Sequence, residues 1–243
     1  MLRIGGKYDT NVEVEYLDTE SSAQDNADAA AVVSFMAGYA PKMSGDFGFR
    51  ADYGVYADFH EDLDEYDVIE QVFSIEPSLT KGRLTYSLPV RYTFAMEDEE
   101  TDYHRIALYP TLTYKIPDHQ HAVEAYGFIS HINDDDDYEI DEDAIAGGVG
   151  VGYIVYSDSR SYLRFSGEYQ KIAYDAACAD YETDTTNVDD RSDGVFSASV
   201  ELNYQLLSHL DVYSTYSFLH TNSNVSIYDY NRHIVEAGLS LSF

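Results

Sequence analysis

Apolar and polar side chains alternate along most of this chain with a period of two residues. The clearest stretch runs from Leu84 to Met96, where Leu, Tyr, Val, Phe and Met occupy every second position and the positions between them are mostly small or polar. The stretches 105–116 and 201–206 repeat this pattern. Successive side chains of a β-strand point to opposite faces, so a period of two indicates strands with one apolar and one polar face. The chain is therefore predicted to be all-β.

The alternation divides the chain into twelve predicted strands. They lie at about residues 2–16, 28–41, 46–59, 67–80, 84–97, 102–116, 121–133, 142–156, 161–175, 193–207, 210–222 and 231–243. Most exceed the ~9–11 residues that a tilted strand needs to cross a bilayer, and no apolar run approaches the ~20 residues of a membrane helix. Strands of soluble sheets average only ~5–6 residues. Strand length therefore favours a transmembrane barrel over the alternative, a soluble β-sandwich.

The connections between these strands alternate between short and long. Tight turns are predicted at 41–45, 80–82, 117–120, 157–160 and 208–209, and longer acidic connections at 18–27, 61–67, 97–102, 133–143, 176–193 and 222–231. Transmembrane barrels of bacteria have short periplasmic turns and longer extracellular loops. The alternation predicts a single domain over residues 1–243, an antiparallel up-and-down barrel with an even number of strands and both termini periplasmic.

The net charge of the chain excludes one class of partner. The chain has 14 Lys and Arg against 45 Asp and Glu, a formal net charge of −31. Such a surface repels nucleic acid, so nucleic acid is not an expected partner. The single Cys excludes an intrachain disulfide.

The last eight residues carry a recognisable pattern. Glu236 is followed by Gly238, and apolar residues stand at the third-last and last positions, Leu241 and Phe243. This arrangement resembles the terminal signal of the outer-membrane barrels of Gram-negative bacteria. The resemblance implies an outer-membrane location, recognition by the barrel-assembly machinery, and closure of the last strand against the first.

A weaker resemblance lies at the two ends of the chain. The segments Tyr8–Val12 and Tyr228–His233 are similar to the barrel portion of the surface-lipoprotein assembly modifiers, which carry helical repeats before a C-terminal barrel. The first strand follows Met1 directly, so we expect that a leader has been removed, and removal of a periplasmic domain stays open. The strand count also resembles the small oligosaccharide-channel porins, whose lumens are strongly basic, unlike this chain.

If the apolar face meets lipid, the other face lines the lumen. Both signs of charge then face inward, which would give either a salt-bridged, closed interior or a narrow water-filled pore. Gly148, Gly150 and Gly152 are expected to face inward and widen the space locally. The charged residues predicted to line the lumen are Arg3, Lys7, Asp9, Glu13, Arg50, Asp52, Asp58, Glu70, Glu76, Arg91, Arg105, Lys115, Glu124, Arg164, Glu168, Glu201, Asp211 and Glu236.

The densest acidic connection is a candidate cation site. Clustered carboxylates suit hard cations such as Ca²⁺. Their spacing is not that of a helical calcium loop, so a loosely held Ca²⁺ competes with a solvated, mutually repelling loop. No other cofactor is expected. The candidate ligands are Asp134, Asp135, Asp136, Asp137, Glu139 and Asp141.

Catalytic chemistry is not indicated by the sequence. No His-x-Ser motif of the barrel phospholipases is present, and Ser130 and His131 are adjacent on a predicted strand, so their side chains point to opposite faces. We therefore predict no catalytic residues and no enzymatic activity.

Together these features lead to two hypotheses. The first is a porin-like channel for passive diffusion of ions or small solutes, with a mixed-charge lumen, an acidic extracellular rim and a weak preference for cations. The second is a barrel without an open pore that anchors or serves a periplasmic domain or a secreted or surface protein partner.

Overall fold

The computed structural model describes residues 1–10, 27–61, 67–97, 100–117, 119–134, 143–158, 160–177, 190–224 and 228–243. These residues are almost entirely β-strand. No helix formed by the described residues is long and apolar enough to cross a membrane.

Twelve antiparallel strands form one closed barrel. Each strand pairs with its neighbours along the chain, and the last strand pairs with the first, so the sheet has no open edge. The strands are β1 (Leu2–Asp9), β2 (Asp28–Tyr39), β3 (Phe47–His60), β4 (Val68–Lys81), β5 (Leu84–Ser87 and Val90–Glu97), β6 (Glu100–Leu108 and Thr111–Lys115), β7 (His121–Asp134), β8 (Ala144–Tyr156), β9 (Tyr162–Ala177), β10 (Asp190–Leu207), β11 (Leu210–Ser223) and β12 (Tyr230–Leu241).

Proline interrupts β5 and β6 without changing their course. Pro89 and Pro110 lack the N–H that a strand donates to its ladder, which breaks the hydrogen-bond pattern for two residues. The pairing of β5 with β4 keeps one register across the gap, since Ser87 faces Ser78 and Arg91 faces Ser74. Each interrupted segment is therefore one barrel strand.

Strand positions agree closely with the prediction from alternation. Apart from the end of β1, every described strand begins and ends within three residues of its predicted limits. The β1 ladder ends at Asp9, and residues 11–16 of the predicted first strand lie outside the described residues. The even strand number is confirmed, and the tight turns share one end of the barrel, which we call the turn end; the opposite end is the loop end. The periplasmic placement of the termini remains a prediction.

The barrel is apolar outside and polar inside. Large apolar side chains such as Ile4, Phe73 and Val149 are more than half exposed on the outer wall. Buried side chains include the carboxylates of Asp9 and Asp58, which point inward. A continuous apolar exterior of this size is not found on soluble monomers, so the outer wall is built to face lipid.

Candidate functional site

The lumen of the barrel is divided into two unlike regions. The packed region consists of the inward side chains of β7–β10, and the cavity region consists of those of β11, β12 and β1–β6. Three adjoining cavities of about 480, 410 and 180 Å³ lie in the cavity region. Tyr56 lines the first and second, Arg91 lines the second and third, and Glu70 lines the first and third. The cavities therefore follow one side of the lumen.

Aromatic rings lie over the inner face of β8 in the packed region. Tyr126 crosses Gly150 and donates a hydrogen bond of 2.8 Å to Oε2 of Glu168 on β9. A Cβ atom at Gly150 would lie 2.3 Å from Cζ of Tyr126, and one at Gly148 would lie 2.5 Å from the ring of Phe128. The expectation that these glycines widen the lumen is wrong for Gly148 and Gly150, because the space above each of these two is filled by a ring.

Charged groups of the packed region are paired across the same strand. Arg164 reaches over Gly152 and donates a hydrogen bond of 2.8 Å to Oε2 of Glu124. A Cβ atom at Gly152 would lie 3.3 Å from this same oxygen. On the next pair of strands, Tyr162 donates a 2.6 Å hydrogen bond to Glu201. The predicted lumen carboxylates of β7, β9 and β10 thus each have a specific donor.

The cavity nearest the loop end holds a buried ionic network. Arg232 binds both carboxylate oxygens of Asp9, with contacts of 2.6–3.0 Å, and Lys7 forms an ion pair with Asp58. His60 Nδ1 lies 3.2 Å from Oδ2 of Asp28. Removing Arg232 or Lys7 would take a cation away from a carboxylate in a site with little access to water, which is strongly destabilising.

Three members of this network were missed from the sequence. Arg232 shares its inward face with Glu236, so the alternation alone could have found it. His60 lies one residue beyond the predicted end of its strand, and Asp28 stands at the very start of its strand. Strand ends are where sequence patterns lose their periodicity, which explains both omissions.

The other two cavities hold charged groups with few partners. Arg50 pairs with Asp52 at 2.7 Å, whereas Glu76 has no ion pair with a described residue. Arg91 lies over the ring of Tyr109 at 4.8 Å. Arg105 has a buried Nε atom without a hydrogen-bond partner. Glu76, Arg91 and Arg105 therefore line the cavity space without an ion pair to a described residue.

The remaining predicted lumen residues lie nearer the turn end or the seam, which is the pairing of β12 with β1. Arg3 lies over the ring of Tyr213 at 4.8 Å, and Asp211 pairs with Arg160 at 2.6 Å. Lys115 is exposed at the end of β6, in the inward register. Glu13 lies outside the described residues.

The C-terminal pattern occupies the strand that closes the barrel. Glu236 faces Lys7 across the seam, and Gly238 faces Gly5. A Cβ atom at Gly238 would lie 2.3 Å from the carbonyl oxygen of Ile4, so only glycine permits this closure. The pattern therefore has a structural reason, while its recognition by assembly machinery remains a prediction.

The candidate calcium loop cannot be placed. Residues 135–142 lie outside the described residues, and so does the side chain of Asp134. Within the described part of the chain, no group of three or more His, Cys, Asp or Glu side chains is arranged to hold a metal ion.

Comparison with solved structures identifies the architecture. An outer membrane channel from Pseudomonas putida F1 superposes with a TM-score of 0.62 at 7% identity, covering 99% of this chain and 95% of that chain. The NanC porin superposes with a TM-score of 0.54 at 8% identity and covers 100% of both chains. This chain has the fold of the bacterial outer-membrane β-barrels. The predicted outer-membrane barrel is thereby confirmed, although no protein-family model and no curated protein matches the sequence.

The same fold also carries an enzyme. Outer membrane phospholipase A from Escherichia coli superposes with a TM-score of 0.53 at 14% identity, covering 99% of this chain and 89% of that chain. The outer-membrane barrel fold therefore does not by itself separate a channel from an enzyme.

Histidines on the outer wall bear on this distinction. His220 Nδ1 lies 3.1 Å from Oδ1 of Asn231 on the neighbouring strand. The residues next to His220 on the same face of β11 are Phe218 and Asn222, neither of which is a nucleophile. Ser130 is buried on the inner face while His131 is exposed on the outer face, so these two side chains do not meet.

Proposed function

We propose that the barrel is a channel for passive diffusion of ions and small polar solutes along its cavity region. The observation that carries this proposal is the row of three adjoining cavities with shared lining residues and charges of both signs. The packed region offers no such path, because rings and ion pairs fill it. The route for solutes is therefore eccentric within the barrel.

The cavity sizes favour small solutes. A water molecule occupies ~30 Å³ of liquid volume, and pockets for drug-sized ligands are ~300–1,000 Å³. Cavities of about 180–480 Å³ admit several waters with an ion or a small metabolite, but not an extended oligomer.

The charge of the lumen supports a weak preference for cations. Among the described inward side chains, carboxylates modestly outnumber Lys and Arg. Glu76 and Glu236 face the cavities without an ion pair to a described residue, whereas Arg91 and Arg105 oppose the same preference. Acidic residues in the long connections would add to the preference by concentrating cations at the loop end.

Planar-bilayer recordings test the proposal. The purified barrel, with a KCl gradient across the membrane, is expected to give discrete conductance steps. The sign of its reversal potential should be that of a channel that prefers cations. The preference should decline as salt concentration rises, because screening shortens the range of the lumen charges. A folded barrel without conductance would contradict the proposal and favour the anchor hypothesis, and anion preference would contradict its selectivity. Boiled protein at equal concentration is the control.

We also propose that the barrel has no hydrolytic activity. The support is the absence of a nucleophile beside His220 and the separation of Ser130 from His131 among the described residues. The purified barrel should not release fatty acid from mixed micelles of phospholipid and detergent, with or without Ca²⁺. Release that disappears in His220→Ala would contradict this proposal.

A further inference from the structure

One cation on the outer wall is out of place. Lys171 is the one Lys or Arg among the described residues that occupies the outward register of a strand away from the turns. It is exposed and has no ion pair with any described residue. Asp175 shares its face but stands four residues further along β9, ~13 Å away for an extended strand. An unpaired Lys on a lipid-facing wall is unfavourable unless it reaches an interface or an anion.

The position of Lys171 lies near one interface. Lys171 is the ninth residue after Tyr162 at the start of β9, a rise of roughly 23 Å along the axis for a strand tilted by ~40°. The apolar band of such barrels is ~25 Å tall. A band that begins at the start of β9 would place the ammonium group where lipid head groups of the loop-end leaflet begin.

Two glycines flank Lys171, and the space beside Gly147 is open. Gly147 on β8 and Gly194 on β10 face it directly on either side. A Cβ atom at Gly194 would lie 3.1 Å from Oη of Tyr169, so the phenol lies over the glycine that faces Lys171. The Tyr169 hydroxyl makes no hydrogen bond with another described residue. An ammonium and a phenol, neither with a polar partner among the described residues, thus occupy neighbouring outward positions of β9 beside this gap.

An apolar depression adjoins this gap on the side of Gly147. It has a volume of about 310 Å³ and lies on the outer face of β5–β8. Ile129 faces Gly147 directly, so β8 separates the depression from Lys171 by a residue without a side chain. The outward side chains that line the depression are Val90, Ile106, Leu108, Ile129, His131 and Ile145.

A second depression continues the first toward the turn end. Pro110, Ala125 and Gly127 form its floor between bulkier neighbours, and its volume is about 880 Å³. Gly127 and Pro110 are the next outward residues after Ile129 and Leu108 on their strands. The two depressions, which we call the outer groove, run from the height of Lys171 down the wall of β5–β8 and reach β3 and β4 near the turn end.

We propose that this wall binds one anionic phospholipid, with its phosphate at Lys171 and Tyr169 and an acyl chain in the outer groove. The cation and the phenol lie at the interface, where the head group of a phospholipid lies. The apolar groove runs toward the bilayer centre, as an acyl chain does. A negative lipid supplies the counter-charge that Lys171 does not find among the described residues. The site does not depend on whether the lumen conducts.

Native mass spectrometry of the delipidated, refolded barrel in detergent tests this site. Phosphatidylglycerol and phosphatidylcholine with identical acyl chains are added separately. One phosphatidylglycerol should bind in preference to phosphatidylcholine, and Lys171→Met should weaken it about five-fold, the usual effect of one cation near an anionic lipid. Lys171→Arg should retain binding. Lys81→Met, which removes an exposed Lys at the turn end, is the matched control and should change nothing.

Further arms separate the alternatives. Gly147→Leu fills the space between Lys171 and the groove. It should weaken the binding of phosphatidylglycerol although the charge of Lys171 remains. Inorganic phosphate should not compete at equal concentration, because it lacks the chain. Equal binding of both lipids, full binding by Lys171→Met, or competition by inorganic phosphate would each overturn the proposal. Heat-dependent mobility in electrophoresis confirms that every variant is folded.

Discussion

Gly150 in the packed region and Gly54 in the cavity region are both inward-facing glycines in the middle of a strand, yet their surroundings are opposite. Gly150 faces Tyr126 and Glu168 on its neighbours, and the ring of Tyr126 covers it. Gly54 faces Met36 and Val72, and the nearest atom to an added Cβ would be a backbone oxygen 3.7 Å away. Open space in this barrel therefore depends on which residue stands beside each glycine.

The largest expected effect comes from adding one methyl group at these two positions. Gly150→Ala should lose ~1–3 kcal/mol of unfolding free energy, because the ring of Tyr126 must move and its bond to Glu168 is strained. Gly54→Ala should be neutral or gain up to ~1 kcal/mol, since alanine lowers the entropy of the unfolded chain. Urea titration of the barrel in lipid vesicles, read by electrophoretic mobility without heating, measures both. Equal losses at both sites would remove the distinction between the regions.

A double variant sharpens this result. If the ring of Tyr126 causes the loss of stability, Gly150→Ala should lower the free energy of unfolding much less in a Tyr126→Ala background than in the natural sequence. Additive losses would point to backbone strain at Gly150 instead.

A smaller effect is expected from ion pairs in the two regions. Glu124→Gln removes the partner of Arg164 inside the packed region and should cost ~1–2 kcal/mol. Asp52→Asn removes the partner of Arg50, a cation that is half exposed to the cavity, and should cost less than ~1 kcal/mol. The same urea titration compares them. A larger loss for Asp52→Asn would show that the cavity is drier than its shape suggests.

Ion preference should respond only to the cavity region. Glu76→Gln should lower the cation-to-anion permeability ratio by about two-fold, equivalent to ~0.4 kcal/mol in ion partitioning. Glu168→Gln should leave the ratio unchanged, because this carboxylate accepts a hydrogen bond from Tyr126 and lines none of the three lumen cavities. Reversal potentials in a KCl gradient measure both variants. A shift with Glu168→Gln alone would place the ion path in the packed region.

The smallest expected effect is at the turn that joins β8 to β9. Backbone N–H groups of Arg160 and Ser161 donate to Asp158 and hold the pKa of its carboxyl below the usual value. A lowered pKa means that this contribution to stability is present above the unfolded pKa and is lost as pH falls through the folded pKa. Asp158→Asn should therefore flatten the acid side of the stability profile slightly. The β4–β5 turn of the cavity region, built around Gly82 at a φ of 62°, has no comparable carboxylate.

Sequence reasoning succeeded where a period of two decides the answer. Alternation located every described strand and gave the facing of residues such as Arg91 and Glu168, because a strand offers only two directions. It could not foresee that Tyr126 lies flat over Gly150, since this depends on a rotamer and on cross-strand register. Pairings such as Arg232 with Asp9 join residues at opposite ends of the chain, and no local pattern reports them.

Closure of the barrel constrains how the chain can fold. Leu2 faces Leu241 across the seam, so half of the hydrogen bonds of the first strand form only after the last residues of the last strand are in place. Contacts so distant in sequence form late and slowly. Until then any partly assembled chain has two open strand edges that can pair with other chains. The protein is therefore exposed to edge-to-edge aggregation until its last step, and β12 ends that period by covering the open edges of β11 and β1 at once.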